Sequence, residues 1–200
     1  MELYVIRHGQ SLANATRTHA GWAQVPLTEA GIAQARQTGR FLQSIRFDRI
    51  LVSDLLRAVQ TARTVFPGRV FESDPRLREI SVGTLAGRST SECQATLGKS
   101  YVQNRTAQDF TPYGGENLDQ LLRRVAEFME SLQGAPSDAR IAAVCHAGTA
   151  FAMLCHVLGC RPERNAADVS NCGVCVFRFS QAHWSLVKWN ETGSADTRNC

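Results

Sequence analysis

Leu3-Tyr4-Val5-Ile6-Arg7-His8-Gly9-Gln10-Ser11-Leu12-Ala13-Asn14 opens the chain with a short apolar run that passes directly into a cation, an imidazole and a glycine. The run before Arg7 suits a buried strand, and Gly9 opens the turn that ends it. Gln10, Ser11 and Asn14 then supply hydrogen-bonding side chains. Open α/β sheets bind ligands at the carboxyl ends of their strands. A guanidinium next to an imidazole at such an end suits a phosphate.

Working outward, strand and helix patterns alternate. Thr28 is an N-cap for a helix in which Ile32, Ala35, Gly39 and Leu42 recur at helical spacing. Asp48–Val52 reads as a second strand, and Ser53-Asp54 as the cap of a helix through Leu55, Leu56, Val59, Ala62 and Val65, stopped by Pro67-Gly68. Val70–Glu72 reads as a third short strand. Residues 81–113 are the least regular stretch, with only a short helix expected near residues 89–97. Glu116–Leu132 carries Leu118, Leu121, Val125, Phe128 and Met129 on one face and predicts an amphipathic helix. Arg140–His146 reads as a buried strand ending in histidine, followed by a helix from Gly148 to Leu158. Val174–Phe179 and Trp184–Trp189 read as two closing strands, and residues 191–200 as a frayed tail. The pattern predicts an α/β fold: a three-layer α/β/α sandwich on a mostly parallel sheet covered on both faces.

Composition narrows the class. Two hundred residues suit one domain with at most a small cap. The longest apolar runs fall short of the roughly 18–20 residues of a membrane span, and the first residues begin a strand rather than a signal peptide, so no membrane association is expected. Net charge is +4, and every basic residue except Lys99 and Lys188 is arginine. These are spread along the chain, without the basic patch that nucleic acid requires. Seven cysteines, several within apolar runs, read as reduced thiols in a cytoplasmic protein. Cys172 and Cys175 have a redox or zinc spacing, but they lie in a probable strand, where positions three apart face opposite sides. A homodimer is compatible with the chain.

Two strands thus end in histidine, at His8 and His146, and a third ends in Ser53-Asp54 with Arg57 one turn into the next helix. If these strands are neighbours, two imidazoles and two guanidiniums meet over a helix N-terminus that also favours anions. Glu79, after a turn, adds a carboxyl group. His19, His156 and His183 read as structural or solvated, and Trp22 as a loop or core anchor.

Six segments in order, Leu3–Asn14, Pro26–Ala35, Ser53–Ala62, Leu77–Gly87, Gly114–Val125 and Ala143–Gly148, resemble the histidine phosphatase superfamily in its phosphoglycerate-mutase-like branch. The resemblance implies one catalytic domain over residues 1–190, with a cap segment at about 81–113 and a C-terminal tail at 191–200. It implies a metal-independent histidine acid phosphatase-type enzyme, without a cofactor, acting on a small phosphorylated substrate. In this reading His8 takes the phosphoryl group as nucleophile, Arg7 and Arg57 bind its oxygens, and His146 adds a hydrogen bond. Glu79 protonates the leaving alcohol and then activates the acceptor. Gln10, Ser11, Asn14 and Gly21 fall among the phosphate-contacting residues. So do Ala147 and Gly148, where many members have two glycines; Ala147 departs from that pattern.

Elementary chemistry agrees with these roles. Imidazole attacks only when neutral, and Arg7 and Arg57 disfavour the imidazolium. Arginine supplies the positive charge that a metal would otherwise bring. Residues 88–113 lack the long paired-arginine insertion of family mutases, so hydrolysis is expected, with a cofactor-dependent phosphoglycerate mutase as the alternative. Gly21-Trp22 resembles the mutases. A non-catalytic phosphate-binding domain is the alternative of another class, and the presence of both His8 and Glu79 argues against it.

Overall fold

A computed structural model describes residues 1–163 and 167–193. Its strands are β1 (Glu2–Arg7), β2 (Arg49–Val52), β3 (Glu72–Ser73), β4 (Arg140–Cys145), β5 (Val174–Ser180) and β6 (His183–Glu191). They form one sheet in the order β3-β2-β4-β1-β5-β6. β3, β2, β4 and β1 run parallel, while β5 and β6 are antiparallel additions at one edge. The helices are α1 (Leu12–Thr16), α2 (Glu29–Leu42), α3 (Leu56–Val65), α4 (Thr90–Ala107), α5 (Leu118–Ser131) and α6 (Ala147–Leu158).

The strand pattern explains the layers. β4 is buried along almost its whole length and sends alternate side chains to opposite faces. Ile141, Ala143 and Cys145 join the core that includes Phe128, Met129 and Phe151 of α5 and α6. Ala142 and Val144 join the core that includes Ala35, Leu42, Ala58 and Ala62 of α2 and α3. The expected three-layer α/β/α architecture is therefore the observed one. Cys172 and Cys175 are free and buried in opposite cores, and burial pushes both thiols up to about 12.

Local expectations were met unevenly. Thr28 caps α2, its hydroxyl accepting the Gly31 N–H at 3.0 Å. Ser53-Asp54 does not cap α3; Leu55 takes the cap position, and the Leu56 N–H donates instead to Gln24 Oε1 at 2.7 Å. The third strand is Glu72–Ser73 rather than Val70–Glu72, because only Leu51 and Val52 pair with it, and Val70 is left 90% exposed. The short helix near residues 89–97 is the first half of the longer α4, which is kinked at Gly98. Of the expected tail, Glu191 ends β6, and residues 194–200 lie outside the described residues. Among the described residues no helix is long and apolar enough to cross a membrane.

Phe128 on α5 is fully buried against the sheet. Phe128→Ala should lower stability by about 3–5 kcal/mol, read from urea unfolding, because a filled core position becomes a cavity. A loss below about 1 kcal/mol, against the usual range for such a truncation, would mean that α5 does not seal this layer.

Candidate active site

β2, β4 and β1 are adjacent and parallel, so their carboxyl ends deliver Ser53, His146 and His8 side by side. The register continues past the strands: the His8 N–H donates to the Cys145 carbonyl at 2.9 Å, and the Ser53 N–H to the Val144 carbonyl at 3.0 Å. The two imidazoles meet edge to face with ring centroids 5.0 Å apart.

The partners of His8 decide its tautomer. Its Nδ1 lies 2.7 Å from the Gly9 carbonyl, which can only accept, so Nδ1 carries the proton. Arg57 Nε, which can only donate, lies 3.3 Å from Nε2. Nε2 therefore keeps its lone pair. Burial holds the His8 pKa well below its ordinary value, and Arg57 and Arg7 depress it further. His146 is shifted the same way, first by burial and then by Arg57.

Arg57 is 1% exposed and held on three sides. Besides His8, it donates to the Ala23 carbonyl at 3.1 Å and to the Gly21 carbonyl at 2.8 Å. Burial lowers its pKa to about 10, which still leaves it charged at neutral pH. Arg7 donates through Nη1 to the Val169 carbonyl. His146 faces Ser53 Oγ through Nε2 at 2.8 Å, and its buried Nδ1 has no partner among the described residues. The Leu55 N–H donates to the same Ser53 Oγ at 3.4 Å.

Arg7, His8, Ser11, Asn14, Arg57 and Glu79 line one cavity of about 1020 Å³, and Gly21 lines it too. Asn14 Oδ1 accepts from the Ser11 N–H, the Ser11 hydroxyl and Asn171, so its amide NH2 is the group left for a ligand. Gln10 was expected among the phosphate contacts, but its Oε1 accepts from Thr28 at 2.8 Å and it is not part of the cavity lining. Gly148 also takes a different part. Its N–H donates to Glu79 Oε2 at 3.1 Å, and a Cβ there would lie 2.0 Å from Glu79 Oε1. The glycine makes room for the carboxylate, and Ala147 beside it opens α6.

Glu79 is fixed by its neighbour and by residues far from it in sequence. Its Oε1 accepts the Ile80 N–H at 2.9 Å. Its carbonyl accepts from Trp22 Nε1 at 2.8 Å and from Arg124 Nη2 at 3.3 Å. Arg124 also holds the carbonyls of Arg76 and Arg78, at 2.8 and 2.9 Å, and forms a two-pronged pair with Glu116. Trp22 is thus an anchor for the Glu79 loop, with the Arg78 guanidinium 4.7 Å above its ring and Arg78 paired to Asp54. His19, on the cavity wall, shares a 2.6 Å hydrogen bond with Tyr101. Among the described residues no group of three or more His, Cys, Asp or Glu side chains gathers as metal ligands would.

Residues 3–192 match the family model of the histidine phosphatase superfamily (branch 1). The chain belongs to that superfamily. This histidine phosphatase is 32% identical over 190 residues to an adenosylcobalamin/α-ribazole phosphatase of Salmonella typhimurium, covering 94% of this chain and 90% of the relative. It is 29% identical over 203 residues to a probable phosphoglycerate mutase of Yersinia pestis, covering 98% and 94%. Its fold superposes on a putative α-ribazole-5′-P phosphatase of Escherichia coli with a TM-score of 0.86, at 28% identity and 96% coverage of both chains. A mycobacterial glucosyl-3-phosphoglycerate phosphatase follows at a TM-score of 0.85 and 26% identity, with 96% and 99% coverage. The protein is a phosphatase of this superfamily.

Its two neutral histidines set a pH dependence of stability. Below the ordinary value of 6.5 the unfolded chain protonates both, while the folded protein resists. The unfolded state then binds more protons, so stability falls as the pH drops through that value. Lowering the pH from about 7 to about 5.5 should remove about 1 kcal/mol for each of the two histidines in denaturant unfolding. His146→Gln should recover its share of that loss, whereas an unchanged pH dependence would contradict a neutral His146.

Proposed function

We propose that the enzyme hydrolyses the phosphomonoester of a small metabolite in two steps, through a phosphohistidine on His8. The proton on His8 Nδ1 carries this reading, because it leaves Nε2 unprotonated, beside Arg57, in a residue that lines the cavity. In the first step Nε2 attacks phosphorus and the ester P–O bond breaks. Protonated Glu79 gives its proton to the departing oxygen. In the second step the Glu79 carboxylate takes a proton from water, the water oxygen bonds to phosphorus, and the N–P bond breaks. The lone pair returns to Nε2, and the net products are an alcohol and phosphate.

Charge stabilisation is the larger contribution. A loose phosphoryl-transfer transition state spreads charge over three equatorial oxygens, and fixed donors already aimed there reorganise little. Arg7 and Arg57 meet those oxygens, with the Asn14 amide NH2. The unpartnered His146 Nδ1 does the same in the tautomer in which Ser53 donates its hydroxyl proton to Nε2. The family relatives act, by name, on α-ribazole phosphate and on glucosyl-3-phosphoglycerate. The same proposal puts this enzyme in the cytoplasm, working on a soluble ester rather than on nucleic acid or lipid.

Leaving-group dependence tests the two roles separately. p-Nitrophenolate departs without a proton, whereas an alkoxide needs one. Glu79→Gln should lower kcat/KM, which reports the first step alone, by about 10²–10⁴-fold on an alkyl phosphate, with a much smaller loss on p-nitrophenyl phosphate. Arg124→Met, which loosens the Glu79 loop, should show the same pattern in weaker form. His8→Ala should lose both activities. An equal loss on both esters would remove Glu79 from the acid role, and a His8→Ala enzyme near wild-type rate would remove the scheme. A phosphoglycerate mutase assay run alongside separates transfer to water from transfer to a second phosphorylated alcohol.

A further inference from the structure

α4 lines the active-site cavity with both of its ends, through Thr90 in its first turn and Arg105 in its last. In an unbroken helix those two residues would lie roughly 22 Å apart along the axis. Gly98 breaks the helix, with φ 62° and ψ −143°, a conformation open essentially to glycine alone. The second half therefore turns back over the cavity. Tyr101 in that half is buried and bonds His19 on the cavity wall. Arg105 follows Tyr101 by one turn and shares its face.

Arg17, two residues before His19, lines the same cavity. It ends α1 in the left-handed conformation, φ 54°, and its carbonyl accepts the Thr90 N–H at 3.1 Å, which seats it beside the start of α4. The cavity lining contains five arginines and two carboxylates among the described residues. Arg57 and Arg7 serve the phosphoryl end, and Arg161 is paired with Asp119. Neither the Arg17 nor the Arg105 side chain has an ion pair or hydrogen bond among the described residues, although Glu163 also lines the cavity. Two such cations over a cavity already rich in positive charge raise the local potential and favour an anion.

We propose that Arg17 and Arg105 form a second anion subsite, so that the substrate carries a carboxylate or a further phosphate in addition to the ester phosphate cleaved at His8. This rests on the phosphatase reading above. It makes the kinked helix a selector of substrate charge, while the chemistry stays at the sheet. A guanidinium meets a carboxylate or a phosphate with the same two-pronged geometry.

Matched esters differing by one carboxylate test it. Each is measured as a competitor of p-nitrophenyl phosphate hydrolysis: 3-phosphoglycerate against glycerol 3-phosphate, and 6-phosphogluconate against sorbitol 6-phosphate. In at least one pair the acid should bind the wild-type enzyme about ten- to a hundredfold more tightly than the alcohol, as expected for hydrogen bonds to a charged group. In Arg17→Ala/Arg105→Ala that ratio should fall towards one, and Arg17→Lys/Arg105→Lys should keep part of it. The ratio is insensitive to how much of a variant is folded. Ratios near one in the wild type, or a preference that survives the double alanine variant, would overturn the subsite while leaving the phosphatase intact. A wild-type protein inert towards p-nitrophenyl phosphate would overturn both readings.

Discussion

The site depends on a single short hydrogen bond from His8 Nδ1 to the carbonyl of Gly9, the next residue. That contact protonates the nitrogen next to the backbone and leaves the outer one bare. Arg57 reinforces the choice, since a guanidinium offers only protons to Nε2. Arg57 can do so only because the Gly21 and Ala23 carbonyls hold its other nitrogens. The loop that carries Gly21 thus governs the nucleophile without touching it. Burial completes the arrangement: a buried imidazole between two guanidiniums cannot afford a positive charge of its own.

The acid has further supports of its own. Glu79 belongs to a loop whose backbone carbonyls are gathered by Arg124 from α5 and whose carboxylate is seated on α6. Nucleophile and acid therefore meet in one cavity but are backed from opposite layers, the first by α3 and the second by α5 and α6. The Gly21–Ala23 segment ties the two, since its flanking carbonyls hold Arg57 and its Trp22 holds the Glu79 carbonyl; only the acid handles the leaving group, so the two contributions separate by leaving group. α4 bears on neither half and closes over the remaining wall of the cavity.

Much of this was legible in the sequence because it is local. The apolar run ending in Arg7-His8 and the apolar run ending in His146 are strands by their own composition, and adjacency in a parallel sheet brings their ends together. Interactions that depend on distant partners were not legible. Nothing near Gln10 indicates that Thr28 will occupy its side chain, or near Gly148 that its N–H will hold a carboxylate from residue 79. Arg124 reads as one polar position on an amphipathic helix, and its use appears only when the Glu79 loop is laid against it. α4 was underestimated because Gly98 looks like a helix terminator, and here it bends one helix instead.

The central assertion is that His8 Nε2 carries the phosphoryl group between the two steps. Rapid mixing with a ³²P-labelled alkyl phosphate, followed by an alkaline quench within one turnover, measures it directly. The account predicts a transient labelled enzyme, stable in base and labile in acid, with the label on the peptide containing His8. Free labelled phosphate that accumulates with no labelled protein, or label on any other residue, would contradict it.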